Sequence, residues 1–204
     1  MNNIKKIDYT YIKSNNSKKA IVAFHGWQGN KDSFLPLVKY ELFNDYNWYL
    51  VQGPYLVDNN TNRRTWSYEV EPGKWAFKEP KKLINDLFYN EIFKKFDSKN
   101  VYVIGFSLGA LVCYEIICNL NQPLGAIFPI SGFVTKDIVL NQAQKETPII
   151  IGHGTNDQIV LFERSKEAYD VLNQQNANVK LIKYDCQHNI PIKMLTKISQ
   201  TIKK

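Results

Sequence analysis

Short apolar runs recur along the chain, with stretches between them in which apolar residues return every three to four positions. The runs lie at 20–24, 48–51, 101–106, 125–130, 148–151 and 179–184. Continuous apolar runs, rather than strict alternation, suit strands covered on both faces of a parallel sheet. Several end in turn residues: His25-Gly26 after the first, Gln52-Gly53-Pro54 after the second, Ser131-Gly132 after the fourth and Gly152-His153-Gly154 after the fifth. Helical spacing appears at 31–43, 80–96, 108–119, 162–175 and 191–202; in the second of these, Leu83, Leu87, Ile92 and Phe96 approximate one face. A further edge strand is expected at 9–12. Strands alternating with helices predict an α/β fold, a doubly wound and mostly parallel sheet, in a single domain over 1–204 without internal repeats or a linker.

Within this pattern, Gly105-Phe106-Ser107-Leu108-Gly109 falls where the 101–106 strand gives way to the 108–119 helix. Strand, sharp turn and helix with a serine at the apex is the setting a G-x-S-x-G nucleophile elbow needs. The turn forces the serine backbone into strain, and side chains at the flanking glycines would collide with the neighbouring strand and helix. The helix N-terminus points free N–H groups at negative charge, which suits an oxyanion. The alternative is a chance match in a buried turn, so the rest of the chain has to supply a base, an acid and a second oxyanion donor.

A serine hydroxyl needs a positioned base. Of three histidines, His188 lies in Asp185-Cys186-Gln187-His188-Asn189-Ile190, between the last strand and the last helix. Loops after strand C-termini converge on one edge of a doubly wound sheet, which brings His188 to Ser107. Asp157 follows the fifth strand in the same way, and Ser107, Asp157, His188 is the Ser…Asp…His order of α/β hydrolases. Asp185 is the rival acid, and a plain helix N-cap is the other reading of Asp157. The backbone N–H groups of Leu108 and Trp27 are the expected oxyanion donors, with Gly26 and Gly29 letting the backbone approach the substrate. His25 and His153 are expected to be structural.

The segment 58–80 is polar and turn-rich yet carries Arg63, Arg64, Trp66, Tyr68, Trp75 and Phe77. Either it borders the site, with Trp66 and Trp75 binding substrate, or the tryptophans pin it to the core.

Composition narrows the partners. At 44% hydrophobic and 22% charged residues the chain is ordinary for a globular protein. The net charge of +7 is spread over scattered lysine pairs rather than a basic stripe with interleaved aromatics, so nucleic acid is not expected. Attraction to anionic lipid surfaces stays open. Cys113, Cys118 and Cys186 read as buried apolar thiols in a reducing compartment, and no run has the apolar length of a signal segment or membrane span, so the expectation is cytoplasmic. Dispersed histidines imply no metal site, and no dinucleotide or phosphate-loop fingerprint appears, so no cofactor is expected. Nothing bears on oligomeric state.

His25-Gly26-Trp27, the elbow at Ser107, His153-Gly154-Thr155-Asn156-Asp157 and Gln187-His188 resemble an α/β-hydrolase. Within that superfamily they are most similar to the small phospholipase/carboxylesterase (acyl-protein thioesterase-like) group. Arg64-Thr65-Trp66 resembles a tryptophan-containing segment of the same group. The resemblance covers nearly the whole chain and implies a compact, cofactor-free fold without a large cap domain. In that group the residue after the serine is often glutamine and is Leu108 here; Trp27-Gln28-Gly29-Asn30 replaces a turn of smaller residues. The expected activity is hydrolysis of a small-molecule or lipid carboxylic ester, with a small or short acyl chain, through an acyl-enzyme. A thioesterase, lysophospholipase-like deacylase or peptidase on the same triad is the alternative. A non-catalytic binding protein is disfavoured because all three triad residues are present.

Overall fold

The computed structural model describes residues 6–59, 61–72, 74–134 and 138–203. Along the chain run β1 (Tyr9–Ile12), β2 (Ala20–Phe24) and β3 (Asn47–Val51). Two small antiparallel pairs follow, β4 (Tyr55–Leu56) with β5 (Arg64–Thr65) and β6 (Glu69–Glu71) with β7 (Lys74–Trp75). Then come β8 (Val101–Phe106), β9 (Ala126–Ile130), β10 (Ile149–Gly154) and β11 (Val179–Tyr184). The central sheet has the order β1-β3-β2-β8-β9-β10-β11. Only β1 runs antiparallel to its neighbour; the other five pairings are parallel. The chain leaves β2 toward β3 on one side, while β8 and its successors build outward on the other. The carboxyl ends of β2 and β8 therefore flank the point where the winding reverses, where such sheets open a crevice.

Both faces of the sheet are covered, which explains the continuous apolar runs. Ala20, Val22, Phe24, Val101, Val103, Ile127, Ile149 and Ile151 pack with α2 (Lys78–Leu87), α4 (Leu108–Glu115) and α5 (Phe162–Gln174), which follow α1 (Leu35–Val38) and, after α2, the short α3 (Phe93–Lys95). The alternate residues Ile21, Ala23, Ile104, Phe128 and Ile150 pack on the other face with Phe34, Phe43 and the C-terminal α6 (Ile192–Ile202). Met194, Leu195, Ile198 and Ile202 form the buried stripe of α6. Each such side chain contributes roughly 1.5–3 kcal/mol relative to exposure. α4 is buried from Leu108 to Tyr114, so the helix behind Ser107 is held on all sides.

Three helices depart from the expectation. The segment 31–43 forms only a 3-10 turn, Lys31–Phe34, and the single turn α1. Beyond it Phe43 is drawn into the core against Trp48, and its carbonyl accepts the Trp48 indole N–H at 3.2 Å, which turns the backbone out of helical register. The 80–96 helix begins at Lys78, with Pro80 in the first turn, where its missing N–H costs nothing, and a π turn at Phe88–Ile92 joins α2 to α3. The 108–119 helix loosens after Glu115 into a 3-10 turn, Ile117–Asn119. The sheet ends at β11, whose Lys180 and Lys183 are exposed. Among the described residues no helix is long and apolar enough to cross a membrane.

Candidate active site

Ser107 stands between β8 and α4 with φ 54° and ψ −117°, a backbone state L-residues rarely occupy. Such a residue costs on the order of 1–3 kcal/mol and persists only when its surroundings fix it. Here Ser107 N–H donates to the Ile130 carbonyl at 2.8 Å, and the Ser107 carbonyl accepts from Ala110 N–H at 2.9 Å. The flanking glycines leave no room: a Cβ on Gly105 would lie 2.2 Å from the Gly109 carbonyl oxygen, and one on Gly109 would lie 2.0 Å from that of Phe24. Leu108 opens α4, so its N–H belongs to the first-turn donors that lack an intrahelical acceptor.

The loop after β2 closes against the elbow. A Cβ on Gly26 would lie 3.3 Å from Ser107 Cβ, so the backbone leading into Trp27 passes directly beside Ser107. His25 pins this loop. Its Nδ1 donates to the Gly26 carbonyl at 2.7 Å, and its Nε2 accepts Gly53 N–H at 2.9 Å. Burial pushes His25 down to about 4, with Arg64 adding to the shift and the Gly26 hydrogen bond opposing it, so the ring is neutral. Trp66 lies completely buried beneath this histidine: the rings are 4.8 Å apart, and the indole N–H donates to the His25 carbonyl at 2.7 Å. Trp66 thus offers no surface to a ligand and supports the loop from below. The Trp27 side chain, by contrast, is 61% exposed.

At the ends of β10 and β11, His188 Nδ1 donates to Asp157 Oδ2 at 2.7 Å. Asp157 is buried, and its Oδ1 accepts the N–H groups of Ile159 and Val160 at 3.0 and 2.9 Å. Burial alone would raise this carboxyl. The hydrogen bonds from His188, Val160 and Ile159 outweigh it and hold the group below the usual carboxylate range. The two backbone bonds close a turn in the loop ahead of α5, whose own N-cap is Leu161, so Asp157 caps no helix and the N-cap reading fails. Asp185, the rival acid, is exposed and accepts from Asn156 Nδ2 at 2.8 Å, while His188 Nδ1 pairs with Asp157.

His153 sits under the acid. Its Nε2 donates to the Val160 carbonyl at 2.8 Å and lies 3.4 Å from Asp157 Oδ2, and its Nδ1 meets Ser165 Oγ at 2.6 Å. Burial lowers its pKa, so it is an uncharged brace for the acid loop. This contact follows from the His-Gly-x-x-Asp spacing, which the sequence displays without showing that the ring reaches the carboxylate. Phe106 packs on His188 with ring centroids 4.8 Å apart.

Two apolar regions lie on opposite faces of the sheet, one of them lined by His188. Trp75 is half-buried and lies 5.8 Å, centroid to centroid, from Phe133, which follows β9; both pack on the α2/α4/α5 side. On the α6 side a cavity of about 420 Å³ opens between the loop after β2 and the loop carrying His188. Phe34, Leu37 and Ile190 line it together with His188. Sequence reading did not single out Phe133 or these lining residues, because each is an ordinary apolar residue near a turn. Among the described residues no group of three or more His, Cys, Asp or Glu side chains could hold a metal ion. The set of a strained serine, an imidazole held by a buried carboxylate and a helix N-terminus is suited to acyl transfer.

Comparison with known proteins follows the same line. A family model described as phospholipase/carboxylesterase matches residues 7–204. Acyl-protein thioesterase 1 homolog 1 of Dictyostelium discoideum is 31% identical over 135 residues, 62% of this chain and 60% of that protein. Carboxylesterase SOBER1 of Arabidopsis thaliana is 29% identical over 131 residues, 62% of this chain and 58% of that protein. The matched stretch thus spans about 60% of the length of these two curated relatives. Among solved structures, esterase PE8 superposes with a TM-score of 0.82 at 16% identity, covering 97% of this chain and 98% of that one. The Bacillus cereus carboxylesterase superposes with a TM-score of 0.79 at 22% identity, covering 98% and 95%. At these identities the structural likeness is one of fold.

Proposed function

The chain belongs to the phospholipase/carboxylesterase family, with its α/β-hydrolase fold, and from that premise we propose that it is a serine hydrolase cleaving carboxylic esters through an acyl-enzyme on Ser107. The observation that carries this reading is the 2.7 Å His188–Asp157 pair, set at strand ends on the same sheet edge as the strained Ser107. His188 Nε2 removes the Ser107 proton as Oγ attacks the ester carbonyl. The Trp27 and Leu108 N–H groups take the oxyanion; loss of one such donor costs ~100-fold or more in rate. His188 then passes the proton to the departing alcohol oxygen and activates water for deacylation. Asp157 fixes the Nδ1–H tautomer and stabilises the imidazolium.

The acyl chain is assigned to the side of Trp75 and Phe133, whose rings approach each other just beyond Gly132, where an added Cβ would lie 3.5 Å from the Ser107 carbonyl oxygen, and a small or short chain is therefore the preferred substrate. The free thiols Cys113, Cys118 and Cys186 support a reducing, cytoplasmic setting. The second reading, a thioesterase acting on acylated protein, is favoured by the printed names of relatives such as the Dictyostelium protein. Matched ester and thioester ladders separate the two. The primary test is labelling by a fluorophosphonate probe: the wild type labels and Ser107→Ala does not. An unlabelled wild type, or undiminished labelling of the variant, would sink the proposal.

A further inference from the structure

The geometry points to the 420 Å³ cavity on the α6 side as the leaving-group subsite, built for the uncharged apolar alcohol of the ester. This rests on the serine-hydrolase reading above and deepens it. In acylation the Ser107 Oγ–carbon bond forms and the bond from that carbon to the alcohol oxygen breaks. The proton taken from Ser107 travels on His188 to that same oxygen, which departs as the neutral alcohol. The substituent on the leaving oxygen must therefore lie against His188, whichever acyl group is transferred.

The cavity meets that requirement. His188 is part of its wall, and so is Gly26, where an added Cβ would lie 3.3 Å from Ser107 Cβ. The rest of its wall is largely apolar: Trp27, Phe34, Leu37, Phe106 and Ile190. Phe106 adds a ring packed against the imidazole at a tilt of 43°. The acyl side lies across the sheet edge: Trp75 and Phe133 pack with the α2/α4/α5 core, whereas Phe34, Leu37, Phe106 and Ile190 pack with the α6 core. Two substrate arms thus leave Ser107 on opposite sides of the sheet. The size falls in the range of sites that enclose a small organic group. No carboxylate, lysine or arginine lines it, and its polar side chains are His25, Ser33, His188 and Asn189, so a benzyl, naphthyl or branched alkyl alcohol fits, and the charges of a zwitterionic headgroup would be desolvated without an ionic partner. Once the alcohol has gone, the same space admits the water that His188 activates.

The test uses two ladders of substrates on the full chain. One varies the alcohol at constant acetyl group: ethyl, benzyl and 2-naphthylmethyl acetate. The other varies the acyl chain at constant alcohol: ethyl acetate, butyrate and hexanoate. Leu37→Trp fills the cavity and should lower the benzyl-over-ethyl ratio of kcat/KM on the order of tenfold, a typical cost for lost apolar fit. Ile190→Ala enlarges it and should shift the optimum toward the naphthylmethyl ester, which keeps the test alive should the tryptophan variant misfold. The hexanoate-over-acetate ratio should move less than about twofold in either. If the acyl ladder moves and the alcohol ladder does not, the cavity is an acyl site and the assignment falls. It falls equally if neither ladder moves, or if a choline ester outruns the benzyl ester in the wild type. A wild type inert on every ester and unlabelled by fluorophosphonate marks a different failure, that of the hydrolase reading itself.

Discussion

The two sides of the cleft around Ser107 are built to different tolerances. At the switch between β2 and β8, backbone packs on backbone: the carbonyls of Phe24 and Gly109 occupy the places where side chains of Gly109 and Gly105 would be. The described residues of the segment from β4 to β7 are held less closely, apart from Thr65, whose carbonyl packs on Gly53. Its regular structure is two hairpin pairs of two or three residues per strand, and Leu56, Tyr68 and Val70 stand exposed. Chemistry needs its groups within a few tenths of an ångström, which close backbone contact supplies. Recognition needs only a shaped wall, which side chains can provide one at a time. Between the two regions stand Thr65, Trp66 and Ser67, buried residues of the loose segment, of which Trp66 braces the tight one.

The comparison breaks first at the acid. Asp157→Asn should lower kcat by roughly ten thousandfold, because the amide stabilises the wrong imidazole tautomer. Ester turnover near wild-type rates in a folded variant would remove Asp157 from its role. Next in size is Trp66→Ala, which empties a fully buried site and leaves the His25 carbonyl without its donor. It should cost about 3–5 kcal/mol in urea unfolding, and a loss below 1 kcal/mol would place Trp66 with the loose side.

Third is a pH effect. His25 is neutral when folded, with its pKa drawn from 6.5 down to about 4, so between those values the unfolded chain holds a proton the folded chain does not. Stability should therefore fall as pH drops from about 6.5 toward 4, by roughly 3 kcal/mol in total. His153 acts in the same direction through its own lowered pKa. Asp157 acts lower: its contribution is complete above the ordinary carboxylate value and fades as pH falls through its depressed one. Urea midpoints across pH should show a shallower slope in His25→Asn; an unchanged slope would clear His25 of the effect. Smallest is Val70→Ser on the exposed hairpin, expected within about 0.5 kcal/mol of wild type in stability. A larger loss would show that the outer segment is as constrained as the elbow.

The strands were legible because burial on both sheet faces leaves an unbroken apolar run, and β2, β3, β8, β9, β10 and β11 all carry one or close to one. The order of loops at the sheet edge was legible for the same reason, and with it the meeting of His188 and Asp157. The expected helix at 31–43 fails because Phe43 and Trp48 settle their hydrogen bonds tertiarily, which local spacing does not encode. Trp66 and Trp75 were indistinguishable as letters in a polar segment; depth alone separates them. The cavity was invisible because Leu37 and Ile190 each look like the apolar face of a nearby helix and become a wall only when the fold sets them side by side.

The exposed lysines of β11 bear on how copies of this chain treat one another. A terminal strand offers a row of unpaired backbone donors and acceptors, the template on which a second sheet can grow. Lys180 and Lys183 put like charges along that row, and Lys183 is steadied over the Phe162 ring at 4.4 Å. Two such edges repel at close range in dilute buffer. Because screening shortens that repulsion to about 3 Å near molar salt, concentrated electrolyte is the condition under which this otherwise self-avoiding molecule should begin to stick to itself.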